Sequence, residues 1–337
     1  MTAKEHYSKP WLSIDDQIQL VESRGMTDAH EYELEFRRIG YYRLSGYWYS
    51  FRKINPDTGE RSDDFIDGIR FADVMKLYNY DDRLRSVLFS ALSKIEVAFR
   101  VKICYVLGKR DPLAYLKPTM LKEDLDIGKY ASFVHEFLDG QWRSEEPFAE
   151  HFKNDYDGEM PIWAATEMMT LSMLAKLFIC MKAEDREAIA AEFGVTRGAL
   201  QSWLPTLKEL RNRCAHQARM FDYKTSNVIP NWNQRPELMH VKEFIEKSYG
   251  RKMRQAREQK DWATYRELDA MPYTTKIYGL ISVLAYMLRV IGDYDEVKSI
   301  RECLKDFPLD IKTLSPLKTM GIPDHWQEQA LWQISAD

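Results

Sequence analysis

From Phe71 the chain runs "FADVMKLYNYDDRLRSVLFSALSKIEVAFRVKICYVLGK", with no proline or glycine before Gly108. Val74, Leu77, Tyr78, Leu84, Leu88, Leu92, Ile95, Phe99 and Ile103 recur at threes and fours. That is the period of an amphipathic helix, and the spacing predicts one long helix or two stacked end to end. The Asp111-Pro112 pair ends it. Period-2 alternation is nearly absent elsewhere, so the expected class is all-α.

The flanks read the same way. Ser13-Ile14-Asp15-Asp16 is a capping-box variant opening a helix that stops at Gly25, and "DAHEYELEFRRIG" predicts a second helix ending at Gly40. An aromatic run interrupted by Gly46 follows, then turn chemistry in "INPDTGERSDDF". Residues 118 to 160 read as shorter helices with loops. Pro161 precedes one expected buried helix, "IWAATEMMTLSMLAKLFICM", and Thr196 is placed to cap "RGALQSWLPTLKELRNRCAHQ", in which Pro205 marks a start or a kink. Residues 222 to 236 read as a loop. Helices are expected to about residue 305, before a tail interrupted by proline.

The 337 residues allow more than one domain, and 45 % apolar with 13 % aromatic residues supply a large core. A formal net charge of −4 excludes a globally basic nucleic-acid binder, so any such contact must come from local patches. The four cysteines, Cys104, Cys180, Cys214 and Cys303, form no CxxC pair, which argues against a zinc site or a disulfide framework. His135 and His151 flank an acidic stretch without the tight spacing of metal ligands. Neither a metal nor another cofactor is expected. The N-terminal stretch has no apolar core of a signal peptide, and "IYGLISVLAYMLRVIG" carries Arg289 and is too short for a bilayer, so the expectation is a cytoplasmic protein without membrane contact.

The stretch "LKELRNRCAHQARMF" concentrates donors on one helix end. Arg-x(4–6)-His spacings occur at Arg24/His30, Arg211/His216 and Arg235/His240. Only Arg211 and His216 lie in an apolar helical setting, led by Leu204, Leu207 and Leu210 and crowded by Asn212 and Arg213. On a regular helix Asn212 and His216 share a face, whereas Arg211 and His216 lie about 140° apart. They meet if the arginine wraps around, if the helix is distorted, or if a second copy approaches across a two-fold axis. Such a set suits metal-independent RNA cleavage. One histidine takes the ribose 2′-hydroxyl proton, another protonates the leaving 5′-oxygen, and Arg211 balances charge on the phosphate while Asn212 positions it. The same residues also suit a plain solvated helix end, where the dipole favours cations.

Two further surfaces are candidates for RNA. In "RRIGYYRLSGYWYSFRK", Arg37, Arg38 and Arg43 interleave with Tyr41, Tyr42, Tyr47, Trp48 and Tyr49, rings that can stack on bases or pack the arm. In "KSYGRKMRQAREQK", Arg251, Lys252, Arg254 and Arg257 form a basic helix that can track a backbone or stay solvated. Arg213 and Arg219, beside the motif, are further candidate RNA contacts. Glu96 and Arg100, four apart, suit an ion pair.

"LRNRCAHQARMF" resembles the R-N-x-C-A-H block of abortive-infection proteins of the AbiD/AbiF (Abi-like) type, bacterial members of the HEPN superfamily. "KPWLSIDDQIQLVESRGM", "RRIGYYRLSGYWYSFR" and "FADVMKLYNYDDRLRSVLFSALSKIEVAFR" resemble that family's upstream blocks in the same order, so the likeness covers roughly residues 9 to 225. The resemblance implies a HEPN-type helical bundle over 61–225, an N-terminal helical arm over 1–60 and a C-terminal helical extension over 226–337. It implies a ribonuclease site completed by two HEPN units, usually in a homodimer, with Arg211 and His216 as the defining pair and Asn212 as the polar residue after the arginine. Gln217 stands where relatives often carry a second histidine. Phage defence, toxin–antitoxin behaviour, restraint by a small structured RNA and kinship with RNA-guided CRISPR nucleases also follow from the resemblance. The contrasting expectation is a catalytically silent RNA-binding module.

Overall fold

The computed structural model describes residues 10–57, 59–223, 225, 235–241, 254–255, 258–261, 276–311 and 313–334. The protein is all-α, and among the described residues the strands form one small hairpin. The chain divides into two compact units, Met1–Arg83 with Asp306–Ser315, and Leu84–Lys305 with Pro316–Asp337.

The first unit begins with α1 (Ile14–Ser23), whose Ser13 and Asp16 form the expected reciprocal cap. A 3₁₀ turn over Ala29–Tyr32 leads into α2 (Glu33–Ile39). Next, α3 (Tyr41–Trp48) runs through Gly46 rather than breaking there, because Leu44, Tyr47 and Trp48 bury one face around it. The turn-rich stretch closes an antiparallel hairpin, β1 (Arg52–Ile54) with β2 (Arg61–Phe65), pairing Arg52 with Phe65 and Ile54 with Arg61. Arg24 and Arg52 both reach Asp63, at 2.8 and 2.9 Å.

The long pattern is a single helix, α4 (Phe71–Gly108). Its first turns, to Arg83, belong to the first unit and are bound to the residues before them. Buried Asp28 accepts hydrogen bonds from the Phe71 and Ala72 amides at 2.7 and 3.1 Å, setting a carboxylate at the positive end of the helix. Phe36 stacks on Phe71 with centroids 5.0 Å apart, and the Tyr47 hydroxyl donates to buried Asp81 at 2.8 Å. Asp306–Ser315 returns to this unit through Lys76–Asp310 and Arg83–Asp306 ion pairs.

In the second unit, Leu84, Leu88, Leu92, Ile95, Phe99, Ile103 and Leu107 of α4 are all buried. Around them come α5 (Ile127–Arg143), α6 (Pro147–Asp155), α7 (Ile162–Met168), α8 (Leu171–Cys180), α9 (Ala183–Glu192) and α10 (Arg197–Ala215). The single helix expected after Pro161 is two. Met169 turns extended at ψ 128°, and the Thr170 hydroxyl accepts from the Met173 amide at 3.3 Å, capping α8. Beyond residue 276, α11 (Ile277–Val290) is buried on every side from Ile277 to Leu288 and is followed by α12 (Tyr294–Lys305) and the short α13 (Pro316–Met320). The Tyr278 hydroxyl meets His240 and Trp332, each at 2.9 Å, tying the C-terminal segment to α11. Among the described residues no helix is long and apolar enough to cross a membrane.

Candidate functional site

Helix α10 carries the motif, and its sequence explains where it starts and stops. The Thr196 hydroxyl accepts from the Ala199 amide at 3.3 Å. Ala199, Leu200, Trp203, Leu204, Leu207, Leu210 and Cys214 then bury one stripe against α8, α9 and α11. Pro205 sits within the helix without ending it. The end is a Schellman turn: the Ala218 amide donates to the Arg213 carbonyl at 2.9 Å and the Gln217 amide to the Cys214 carbonyl at 3.1 Å. Gln217 takes the left-handed conformation, φ 55°, that this turn requires. Ala215 is therefore the last residue of the helix and His216 its C-cap, with φ −92° and ψ 16° and an exposed side chain.

The imidazole of His216 makes no hydrogen bond among the described residues. Asn212 is exposed one turn before it, and the Asn212 carbonyl accepts from the His216 amide at 2.9 Å. Arg211 turns the other way. Its Nε lies 3.7 Å from a carboxylate oxygen of Glu96, and its guanidinium lies over the Phe89 ring, 5.6 Å from the centroid. No hydrogen bond or ring contact joins Arg211 to His216 within one chain.

Glu96 is 7 % exposed, a buried carboxylate on α4. Its other oxygen accepts from Arg100 at 2.7 Å, the expected ion pair. Arg100 also donates through two nitrogens to the Met169 carbonyl, at 3.2 and 3.0 Å. That carbonyl is available because the chain breaks between α7 and α8. Glu96 thus sits between two guanidiniums, an arrangement that satisfies a charge removed from water. Its closeness to the motif was not anticipated from the sequence. A signal was present: Glu96 interrupts the apolar stripe at the level of Leu92, Ile95 and Phe99, a place a solvated carboxylate would avoid.

The neighbouring basic residues divide by environment. Arg213 is half-buried, donates to the Arg219 carbonyl and places its guanidinium 3.7 Å from the Tyr223 ring centroid. Tyr223 in turn donates to Glu209, and burial together with that bond raises its phenol above the ordinary tyrosine range. Arg219 is half-buried. In the first unit Arg37 is exposed and ion-paired with Glu33 at 2.6 Å, Arg38 is exposed, and half-buried Arg43 lies over the Tyr78 ring. Tyr47 and Trp48 belong to the core, whereas Tyr42 and Tyr49 are exposed. Arg254 is helical and exposed, whereas Arg251, Lys252 and Arg257 lie outside the described residues, as does most of the loop expected over 222–236.

The two other Arg–His spacings have imidazoles already engaged. His30 pairs with Glu22 at 2.6 Å, and His240 bridges the Glu237 carbonyl and the Tyr278 hydroxyl, both at 2.9 Å. His151 pairs with Asp155 at 2.7 Å. No group of three or more potential metal-ligating side chains occurs among the described residues.

A family model described as Abi-like protein matches residues 36–222, which include the end of α2, all of α3 and α4, and the whole of α10 with its terminal turn. No curated protein and no solved structure matches the chain.

Proposed function

The chain belongs to the Abi-like protein family, and on that premise we propose that it is a metal-independent HEPN-type endoribonuclease of bacterial phage defence, acting as a toxin in abortive infection. The observation that carries the reading is the exposed, unengaged His216 imidazole one turn beyond an arginine held by a buried carboxylate. In the proposed reaction an imidazole removes the 2′-hydroxyl proton, the 2′-oxygen bonds to phosphorus, and the bond to the 5′-oxygen breaks. A second imidazole delivers the proton to that oxygen. Arg211 offsets charge on the non-bridging oxygens and Asn212 orients the phosphate.

Two imidazoles are needed and one chain offers one in this setting, so the proposed enzyme is a homodimer. The face of α4 beside Arg211 supports a second copy as the occupant. Among its exposed positions from Ser86 to Tyr105, only Lys94 is charged, and Phe89, Val97, Val101 and Tyr105 form an apolar row that starts under the Arg211 guanidinium. Basic residues Arg37, Arg38, Arg43, Arg219 and Arg254, with Arg251, Lys252 and Arg257, are the proposed RNA contacts, and a small structured RNA is the proposed regulator.

The alternative, a catalytically silent RNA-binding module, is favoured by one observation, the lack of contact between Arg211 and His216 within a chain. Expression in bacteria and cleavage of total RNA in chelator decide between them. The enzyme reading expects toxicity and cleavage from the wild type, and a loss of about 10²-fold or more for Arg211→Ala and His216→Ala. Equal tolerance of all three proteins, with RNA bound but uncut, selects the binding module.

A further inference from the structure

We infer that Glu96 is a positioning residue for Arg211: the buried carboxylate on α4 fixes which nitrogens the guanidinium presents to a phosphate. This rests on the nuclease reading for its effect on catalysis, but the geometry behind it does not. One Glu96 oxygen is held by Arg100, which is itself locked to the Met169 carbonyl. The second oxygen is left facing Arg211 Nε at 3.7 Å. The Glu96 side chain is only 9 % exposed, so water offers this oxygen little alternative. The Phe89 ring supports the guanidinium plane from one side. With Nε turned towards Glu96, the two terminal nitrogens of Arg211 make no hydrogen bond among the described residues, and they form the fork that a phosphate accepts.

Position is what this supplies. Arginine carries its charge with or without Glu96, but an unrestrained guanidinium on a helix end samples many rotamers. A carboxylate and a ring, both on α4, select one. Glu96 touches no substrate atom in this scheme, and its influence passes through Arg211 alone.

The test has two arms on the full-length chain. The first needs no activity. The Arg211 Nε–H signal in a side-chain ¹⁵N spectrum, assigned by its loss in Arg211→Lys, is expected to exchange slowly in the wild type. It should shift and exchange faster in Glu96→Gln. An identical signal in both proteins overturns the inference. The second arm is RNA cleavage. Glu96→Gln should lower kcat by about 10²-fold with little change in KM. It should cost nothing further when added to Arg211→Ala. Equal losses in both backgrounds, or no loss in the wild-type background, overturn it. Should Glu96→Gln fail to fold, Glu96→Asp keeps the charge but shortens the reach, and is expected to show the same shifted signal and an intermediate kcat. Wild-type protein without cleavage would remove the nuclease reading, while the spectrum would still decide where Glu96 holds Arg211.

Discussion

Arg211, Arg213 and His216 sit within two turns of one helix and have three different environments. His216 faces solvent, Arg211 is turned to a buried carboxylate, and Arg213 is folded onto Tyr223. The last of these binds the chain after the helix back onto it, through the Arg219 carbonyl and the Tyr223–Glu209 bond. Arg213→Ala is therefore expected to lower stability by roughly 1–2 kcal/mol, read from urea unfolding, because it removes a desolvated cation–π contact and its packing. Tyr223 gives this region a pH signature. Its phenol is raised in the folded state by burial and by donation to Glu209. A raised phenol contributes fully below the unfolded tyrosine value of about 10, and the contribution is lost as pH climbs beyond it. Tyr223→Phe should start less stable than the wild type and show the shallower decline above that pH. An equal decline in the two proteins would show that this phenol is not the source.

Two short signals position the site at the scale of elements. Thr196 starts α10, and the Schellman turn over Arg213–Ala218 stops it so that His216 is its C-cap. Thr196→Ala should cost about 1 kcal/mol of unfolding free energy. It should leave cleavage unchanged in the folded protein, because the cap lies at the far end of the helix from the motif. The cap was legible from Thr196 alone. The stop was not, because Gln217 is not the glycine that a left-handed position normally signals. The break at Met169 was equally hidden. "IWAATEMMTLSMLAK" reads as one uninterrupted apolar helix, and Thr170 looks unremarkable within it. Capping by Thr170 ends that pattern and leaves the Met169 carbonyl for Arg100. The hairpin over Arg52–Phe65 was readable only as turn chemistry, since strands this short carry too few residues for alternation to show.

For the whole molecule, the row Phe89, Val97, Val101 and Tyr105 carries the prediction. Val97→Glu with Val101→Glu places four carboxylates at a two-fold contact and should yield monomers in light scattering, with cleavage lost although His216 and Arg211 are intact. Monomers that cut RNA at the wild-type rate would remove the shared site. The sequence by itself determined the all-α class, the extent of α4 and the caps at Ser13 and Thr196. Those features are local: periodicity and capping act over a few residues, and Leu204, Leu207 and Leu210 mark the buried face of α10. Only the tertiary structure decided that Glu96 and Phe89 meet Arg211, that Arg213 turns inward, and that the early turns of α4 belong with the arm. These are contacts between residues far apart in sequence, or the choice of one rotamer among many. Burial settles them: a carboxylate that has lost water must take whatever cation the packing brings within reach.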